Sequence, residues 1–286
     1  MTGWFSCAVA ALLLMGAQRF FYKVAAERSC STVWTTLSFM ATVTVISVCA
    51  FLVRGAPVPD VSFLLLIALA NSLAFLVATV THIEALKRLP AGVAYPLIRL
   101  DAVLVVVISL LYFHEQVRGR QGIGIIFAVA AALVIARDRG REKSDRTTGA
   151  GFLFVAGAIL AGAAAAVSSR FAALGTDKTA FMAVSYGLST LFLVGAGARP
   201  RRQAETPAGI RDSLRIGLVM GILNVAGYYA YLTGLSRGPL SLVTVITSMH
   251  FVVAVILSIL IYRERLTPMR LAGVALTVAS LVLLRA

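Results

Sequence analysis

Two charged residues lie inside an otherwise apolar stretch of the chain. Arg99 and Asp101 occur in GVAYPLIRLDAVLVVVISLLYF, which runs from residue 92 to residue 113. A charge at the centre of a bilayer costs about 2.5–3.5 kcal/mol on insertion scales, so such residues usually face a polar cavity or a partner. Asp101 is suited to binding a cationic group or a coupling proton. Arg99 is suited to binding an anionic group or to balancing Asp101. The alternative for both is a polar network that only holds helices together.

Other polar residues in apolar stretches extend this set of candidates. His250 titrates near neutral pH, so a pair formed with Asp101 would be able to carry a proton. Asn71 and Asn224 are expected either to hydrogen-bond a substrate or to join helices. Tyr228 lies too deep in its predicted helix for an interfacial residue and is suited to stacking on an aromatic or cationic substrate. The remaining candidates for substrate or coupling-ion binding are Tyr95 and Gln18.

The composition of the chain indicates that these residues are embedded in a membrane. Of the 286 residues, 59% are hydrophobic and only 13% are charged, and the mean hydropathy is +0.91. Soluble domains carry about 25% charged residues. Apolar runs of roughly 20 residues recur, and helices satisfy their own backbone hydrogen bonds in lipid. We therefore expect an all-α, multi-pass protein of the cell inner membrane.

Apolar runs bounded by charged residues, Pro or Gly predict ten transmembrane helices. They cover residues 3–22, 32–53, 61–85, 91–113, 121–136, 149–169, 179–198, 214–235, 240–262 and 269–285.

The two halves of the chain repeat each other. LKRLPAGVAYPLIRLDAVLVVVISLLYFHEQVRGRQGIG, from residue 86, aligns without a gap with LSRGPLSLVTVITSMHFVVAVILSILIYRERLTPMRLAG, from residue 235. The predicted organisation is a first five-helix repeat over 1–136, a linker over 137–148 and a second repeat over 149–286. Five spans are an odd number, so the repeats must insert with opposite orientations. Inverted repeats place a binding site near the membrane midplane and permit alternating access.

The end of each repeat carries a specific family resemblance. YFHEQVRGRQGIGIIFAVAAALVI and IYRERLTPMRLAGVALTVASLVLL resemble the EamA repeat, in which a helix ends in a Glu and the next helix opens with a Gly one turn in. Two such repeats are similar to the drug/metabolite transporter superfamily. The resemblance covers nearly the whole chain. It implies that four residues are structural landmarks of the repeats: Glu115, Gly124, Glu264 and Gly273.

The fourth span of each repeat departs from the family pattern. The family usually has a Pro about 13 residues before the Glu, and this chain has Ala102 and Phe251 at those positions. Pro96 lies six residues earlier in the first repeat and is a further structural landmark. The residues beside the family's Pro are often near its central cavity, and here they are Asp101 and His250.

The resemblance implies a secondary transporter. It would move a small polar or amphipathic metabolite, or a drug, across the bacterial inner membrane by alternating access, with export as the implied direction. The alternative is a flippase for a lipid-linked carrier, which needs an apolar lateral opening and a basic head-group site. The sequence has no GxSxG, no HExxH and no nucleotide-binding loop, so neither an enzyme nor a cofactor is expected. The expected partners are membrane lipid, the substrate and a coupling proton. A monomer suffices, with a dimer as the alternative.

The positions of the basic residues predict a membrane topology. Together with the cysteine spacing, they also argue against a nucleic-acid-binding protein and a metal site. The net charge is +14, but Lys and Arg fall in short connections rather than in a stripe, which argues against nucleic-acid binding. Most of the 26 Lys and Arg residues lie in odd-numbered connections, which favours both termini outside, whereas the family resemblance favours both inside. The three cysteines have no metal-ligand or disulfide spacing, and no metal site is expected.

Overall fold

The structure is a computed structural model that describes residues 3–89, 94, 97–139, 149–195, 207–263 and 267–285. Within these residues every regular element is an α-helix, so the all-α prediction is confirmed. Eleven helices follow one another: α1 (Gly3–Glu27), α2 (Thr32–Arg54), α3 (Val61–Arg88), α4 (Leu100–Leu111), α5 (Gly119–Arg139), α6 (Gly149–Gly175), α7 (Lys178–Gly195), α8 (Pro207–Arg237), α9 (Leu240–Ser248), α10 (His250–Tyr262) and α11 (Pro268–Arg285).

Eight helical stretches in the described part of the chain are long and apolar enough to cross a membrane. One of them, Leu240–Tyr262, combines α9 and α10. The other two predicted spans are shorter. Only Leu100–Leu111 forms α4 within the predicted span 91–113, and the apolar part of α5 is Gly119–Ile135. The ten-span prediction is therefore met for eight helices, with two shorter apolar helices at the fourth and fifth positions.

Helices of the first half pack mainly against helices of the second half. α1 and α2 both pack on α8, α3 packs on α6, and α5 packs on α11. Glycines bring these backbones close together. A Cβ at Gly217 of α8 would lie 2.5 Å from the Thr35 carbonyl oxygen, and one at Gly16 of α1 would lie 2.8 Å from the His250 carbonyl oxygen. Close backbone approach increases van der Waals contact, which replaces the missing hydrophobic driving force between helices in lipid.

Contacts between loops define the two ends of the bundle. At end B, Trp4 lies against Gly238, and Glu115 bonds to the backbone of Leu240 and Ser241. At the opposite end A, the Ser31 N–H donates to Ser213 Oγ at 3.0 Å, and Leu89 lies against Gly151. End B thus carries the described N-terminus and the even-numbered connections. End A carries the described parts of the odd-numbered connections, whose sequences are the more basic ones.

Asp177 starts α7 at end B by capping its first turn. Its Oδ1 accepts hydrogen bonds from the Thr179 and Ala180 N–H groups at 2.9 and 3.0 Å, and from the Thr179 hydroxyl. Burial raises the pKa of this carboxyl, but the hydrogen bonds and nearby Arg54 outweigh it, so the net pKa is lowered. The cap therefore contributes stability above the ordinary Asp pKa, and this contribution is lost as the pH falls below that value.

The fourth span of each repeat contains a break where a helix begins inside the bundle. α4 starts after Arg99, and the Ala102 N–H donates to the Arg99 carbonyl at 3.3 Å. α10 starts after Met249, and the Val252 N–H donates to the Met249 carbonyl at 3.0 Å. Both are tight i to i+3 turns rather than α-helical ones. The breaks therefore place Asp101 and His250 in the first turns of two interior helices.

We expect Gly217→Ala to destabilise the protein because the new methyl group would collide with backbone of α2. Overpacking of this kind costs about 1–3 kcal/mol, so thermal unfolding in detergent should occur several degrees lower than in the wild type. Gly119→Ala is the matched control, since a Cβ there meets nothing within 4 Å. Equal unfolding temperatures for the two variants would contradict the close packing of α2 on α8.

Candidate functional site

Five titratable side chains from four helices converge on the end-A side of the bundle. Arg19 comes from α1, His82 from α3, Arg99 and Asp101 from the start of α4, and His250 from the start of α10. Both arginines act electrostatically on Asp101, on His82 and on His250. The structure therefore brings three of the predicted residues into one cluster, and it adds Arg19 and His82. The signal in the sequence for these two was a charged or titratable residue late in an apolar run.

Asp101 is held against the backbone of α6. A Cβ placed on Gly162 would lie 3.0 Å from Asp101 Oδ2 and 3.3 Å from its Cβ, so a larger residue would displace the carboxylate. Asp101 Oδ1 also accepts a hydrogen bond of 2.7 Å from the Ala102 N–H. A carboxylate in the first turn of a helix is stabilised by the partial positive charge of the helix N-terminus.

His250 lies at the second helix break with one ring nitrogen unsatisfied. Its side chain is 7% exposed, and Nδ1 lies 2.7 Å from the Thr247 carbonyl oxygen. Nε2 is buried and has no hydrogen-bond partner among the described residues. The described part of the chain shows no hydrogen bond between His250 and Asp101. Direct proton transfer within this predicted pair therefore has no contact to proceed through in this conformation.

A narrow crevice with a volume of about 10 Å³ opens beside the cluster between α4, α5, α9 and α10. Arg99 and Ser248 are its polar lining residues. The rest of its wall is apolar and consists of Ala102, Val103, Ile125, Ala128, Val129, Ala132, Val245 and Phe251. The crevice thus joins a guanidinium group to an aliphatic surface contributed by both repeats.

Asn71 is the centre of a separate network that joins three helices. Its amide nitrogen lies within 3.2 Å of the hydroxyls of Ser168 and Ser169 on α6 and 3.0 Å from the Ala165 carbonyl. Its amide oxygen accepts from Ser185 of α7 at 3.1 Å. All of these hydroxyls are buried. The amide is saturated by protein groups, which favours the alternative that Asn71 joins helices.

Tyr228 connects this network to a column of aromatic rings. Its hydroxyl lies 2.9 Å from Ser169 Oγ, and its ring stacks on Tyr231 with a centroid distance of 5.9 Å. Tyr186 approaches the other side of Tyr228 at 5.9 Å, edge to face. Phe39 of α2 extends the column at 6.0 Å from Tyr186. The column joins α2, α7 and α8 in the centre of the bundle.

Gln18 and Asn224 form a buried pair near the middle of the bundle. Asn224 Nδ2 donates to Gln18 Oε1 at 3.1 Å across the α1–α8 contact. Asn224 Oδ1 makes no hydrogen bond of ordinary geometry among the described residues. Gln18 precedes Arg19 on α1, so this pair lies next to the charged cluster. The Tyr186 hydroxyl faces the same amide, so Asn224, like Asn71, has protein groups around it.

Glu115 closes end B by bridging the two repeats. Its Oε1 accepts from the Leu240 N–H at 2.5 Å, and its Oε2 accepts from the N–H and hydroxyl of Ser241 at 3.0 and 2.7 Å. The carboxylate therefore caps α9, which belongs to the other repeat. Arg170 of α6 donates to the Gly238 carbonyl at 2.6 Å and interacts electrostatically with Glu115. We call Glu115, Arg170 and the backbone of 238–241 the end-B clamp.

The remaining landmarks are glycines that pack across the repeats. A Cβ at Gly124 of α5 would lie 3.0 Å from Leu284 of α11, and one at Gly273 of α11 would lie 2.3 Å from Ile135 of α5. Each glycine thus lets a side chain of the other helix pack closely against its own helix. Three predicted positions lie outside the described residues: Tyr95, Pro96 and Glu264.

We expect Asn71→Ala to lower stability more than Tyr228→Phe does, because Asn71 has several protein partners and Tyr228 loses one hydroxyl contact. Interhelical hydrogen bonds in membranes contribute about 0.6 kcal/mol each on average, so Asn71→Ala should cost about 1–2 kcal/mol. Unfolding temperatures of the purified variants measure this difference. If Asn71→Ala were as stable as the wild type but inactive in transport, Asn71 would be a substrate residue instead.

Comparison with known proteins gives one family match and two more distant similarities. The model of the EamA-like transporter family matches residues 2–137 and 149–286. A segment of 50 residues is 40% identical to the probable 4-amino-4-deoxy-L-arabinose-phosphoundecaprenol flippase subunit ArnE of Aeromonas hydrophila subsp. hydrophila. That segment covers 18% of this chain, and the chain spans 44% of the length of that relative.

A crystal structure of another protein has the same fold. It superimposes with a TM-score of 0.76 over 99% of this chain and 98% of the other chain. The two sequences are 18% identical, so the similarity concerns the fold alone.

Proposed function

Because the chain belongs to the EamA-like transporter family, we propose that it is a ten-span secondary transporter that exports a small polar or amphipathic metabolite. It is a multi-pass membrane protein built from two EamA repeats. We propose the bacterial inner membrane as its location and a monomer as its working unit. The observation that carries the proposal is the cluster of Arg19, His82, Arg99, Asp101 and His250 between the repeats.

The cluster supplies the chemistry that a transport site needs. The guanidinium groups of Arg19 and Arg99 are suited to an anionic group of the substrate. Asp101 is suited to a cationic group or a coupling proton, and its place in the first turn of α4 gives it N–H donors when ionised. Such groups are costly in an apolar bundle, and this cost is offset when they bind a substrate or one another. Transport, rather than enzymatic catalysis, is the use we assign to them.

The two ends of the bundle differ in a way that suits alternating access. Tyr228, Tyr231, the Asn71 network and the end-B clamp lie nearer to end B than the cluster does. The cluster itself lies towards end A, since Arg19 and His82 occur in the end-A halves of α1 and α3. We propose that this conformation is closed at end B. Passage of substrate to end B would then require the Glu115 contacts between the repeats to break.

A flippase for a lipid-linked carrier is the second candidate, and two observations favour it. The crevice beside Arg99 combines an aliphatic wall with a cation, as a lipid head-group site requires. The short match to an ArnE flippase subunit points to the same class. The crevice is narrow in this conformation, with a volume of about 10 Å³, so we prefer a small ligand.

Metabolite profiling of the medium tests the transport function. Cells that express the wild type are compared with cells that express Asp101→Asn, Arg99→Ala or the exposed control Arg215→Ala. We expect at least one compound to accumulate outside with the wild type and the control, and to fall at least about tenfold in the other two, which corresponds to about 1.4 kcal/mol. Immunoblots of isolated membranes must show equal amounts of the four proteins. Identical profiles in all strains would reject export.

Cross-linking tests whether the end-B clamp must open. Cys7, Cys30 and Cys49 are first replaced by Ala, and Glu115→Cys and Ser241→Cys are introduced together. A short, reducible thiol cross-linker should stop export of the compound identified above, and reduction should restore it. The single variant Glu115→Cys, treated identically, is the control. Undiminished export by fully cross-linked protein would show that end B does not open by separating these residues.

A further inference from the structure

We propose that Tyr22 of α1 and Thr79 of α3 meet and close end A of the bundle when end B opens. We call these two residues the end-A gate. This inference rests on the proposed transport by alternating access, and it identifies the residues that close the end opposite the clamp.

Helix packing at the two ends relates α1 to α6 and α3 to α8. At end B, Trp4 of α1 lies against Gly238, which follows α8. At end A, Gly151 of α6 lies against Leu89, which follows α3. Leu89 and Gly238 are counterparts in the ungapped alignment of the two repeats. Trp4 and Gly151 are therefore counterparts as well.

Counting along the helices from these residues gives the counterparts of the gate. Tyr22 lies 18 residues after Trp4, and Ser169 lies 18 residues after Gly151. Thr79 lies ten residues before Leu89, and Tyr228 lies ten residues before Gly238. The pair Tyr22 and Thr79 in the first repeat thus corresponds to the pair Ser169 and Tyr228 in the second.

Ser169 and Tyr228 form the closed version of this contact in the end-B half of the bundle. Their hydroxyls are 2.9 Å apart, and the two side chains are 3% and 9% exposed. α6 and α8 pack on each other here, and Arg170 next to Ser169 donates to the Gly238 carbonyl. A tyrosine and an aliphatic hydroxyl therefore join the first and third helices of the second repeat.

The corresponding residues of the first repeat are apart in this conformation. Tyr22 is 42% exposed, and Thr79 is exposed as well. In the described residues, α1 and α3 do not pack on each other as α6 and α8 do. The gate again combines a tyrosine with an aliphatic hydroxyl, although the two types have exchanged helices. It is able to form the same hydrogen bond once α1 approaches α3.

The gate residues face the interior of the bundle rather than lipid. The Arg19 guanidinium lies 5.7 Å from the centre of the Tyr22 ring, and both residues act electrostatically on Tyr186 in the aromatic column. Thr79 lies three residues before His82 and thus on the same face of α3. His82 in turn interacts electrostatically with Arg19. Contact between Tyr22 and Thr79 would therefore separate the charged cluster from end A.

Inverted repeats exchange conformations when a transporter changes the side to which it opens. The first repeat then takes the arrangement that the second repeat has here, and the second takes that of the first. Closure of end A through Tyr22 and Thr79 should therefore accompany separation of Ser169 from Tyr228. The two contacts are mutually exclusive in this proposal.

Cross-linking of the full-length chain in lipid nanodiscs tests the gate. Cys7, Cys30 and Cys49 are replaced by Ala, and Tyr22→Cys is combined with Thr79→Cys. A short bifunctional thiol reagent should join the two new cysteines. The mass of the intact protein distinguishes a joined chain from one that has reacted separately at each cysteine.

The matched control pair is Tyr22→Cys with Val80→Cys. Val80 is exposed like Thr79, but adjacent residues of a helix point in different directions. A monofunctional thiol reagent must label all three positions. The Thr79 pair should be joined at least about threefold faster than the Val80 pair, because only its closed state is populated by the exchange of repeats. Equal rates would overturn the gate.

Loss of the end-B clamp should favour closure of end A. Glu115→Ala deletes the hydrogen bonds to Leu240 and Ser241, and an equilibrium shifts towards the state that does not need them. The rate of joining the Thr79 pair should rise at least about threefold, as a modest population shift predicts. Tyr228→Phe, which removes only a hydroxyl, should act in the same direction.

The Val80 pair in the same two backgrounds shows whether the helices have merely loosened. Its rate should stay constant in Glu115→Ala and in Tyr228→Phe. An equal rise for both pairs, or an unchanged rate for the Thr79 pair in both backgrounds, would overturn the coupling of the two ends.

Cross-linking is measured without transport, so the two proposals fail separately. If the Thr79 pair is not joined although the same variant exports the compound found in the medium, the end-A gate is rejected and transport stands. If the pair is joined as expected and the joined protein exports undiminished, alternating access is rejected, and the proposed function with it.

Discussion

Holding a charged cluster, in which Arg19 is exposed and Arg99 and Asp101 are half-buried, within an apolar helix bundle is the physical constraint on which the rest of this structure depends. Lipid offers no hydrogen bonds, so these groups must be grouped together and kept from the acyl chains. The structure meets this requirement with helices from both repeats. α1 and α3 contribute Arg19 and His82, and the starts of α4 and α10 contribute Arg99, Asp101 and His250. The site therefore exists only where the two halves of the chain meet.

The same requirement accounts for the broken fourth span of each repeat. A continuous helix satisfies its own backbone groups and leaves none for a neighbouring charge. Tight turns after Arg99 and Met249 start new helices inside the bundle, and their first turns carry Asp101 and His250. The drug/metabolite family usually places a Pro at this level. In this chain the breaks occur without a Pro at the family's position.

Polar residues outside the cluster serve the opposite purpose. Asn71 and Glu115 are saturated by protein groups, Asn71 by serines of α6 and α7 and Glu115 by the start of α9. Together with Tyr228 and Tyr231 they lie in the half of the bundle towards end B. The sequence does not distinguish the cluster residues from these structural residues, because both are polar side chains within or next to apolar runs. Only their partners distinguish a residue that holds helices together from one with capacity left for a ligand.

The sequence by itself determined the class of the protein, since composition and apolar run lengths are set by the bilayer and the Glu and Gly landmarks repeat at fixed spacing. It also identified Arg99, Asp101 and His250, because a charge in an apolar run is costly wherever it occurs. The tertiary structure decided which of these residues meet, since residues distant in the chain, such as Arg19 and His250, are brought together by packing that periodicity does not encode. It also decided where α4 and α10 begin. It likewise decided that Glu115 binds the backbone of the other repeat, because the hydrogen-bond donors of a carboxylate are known only once the helices are placed.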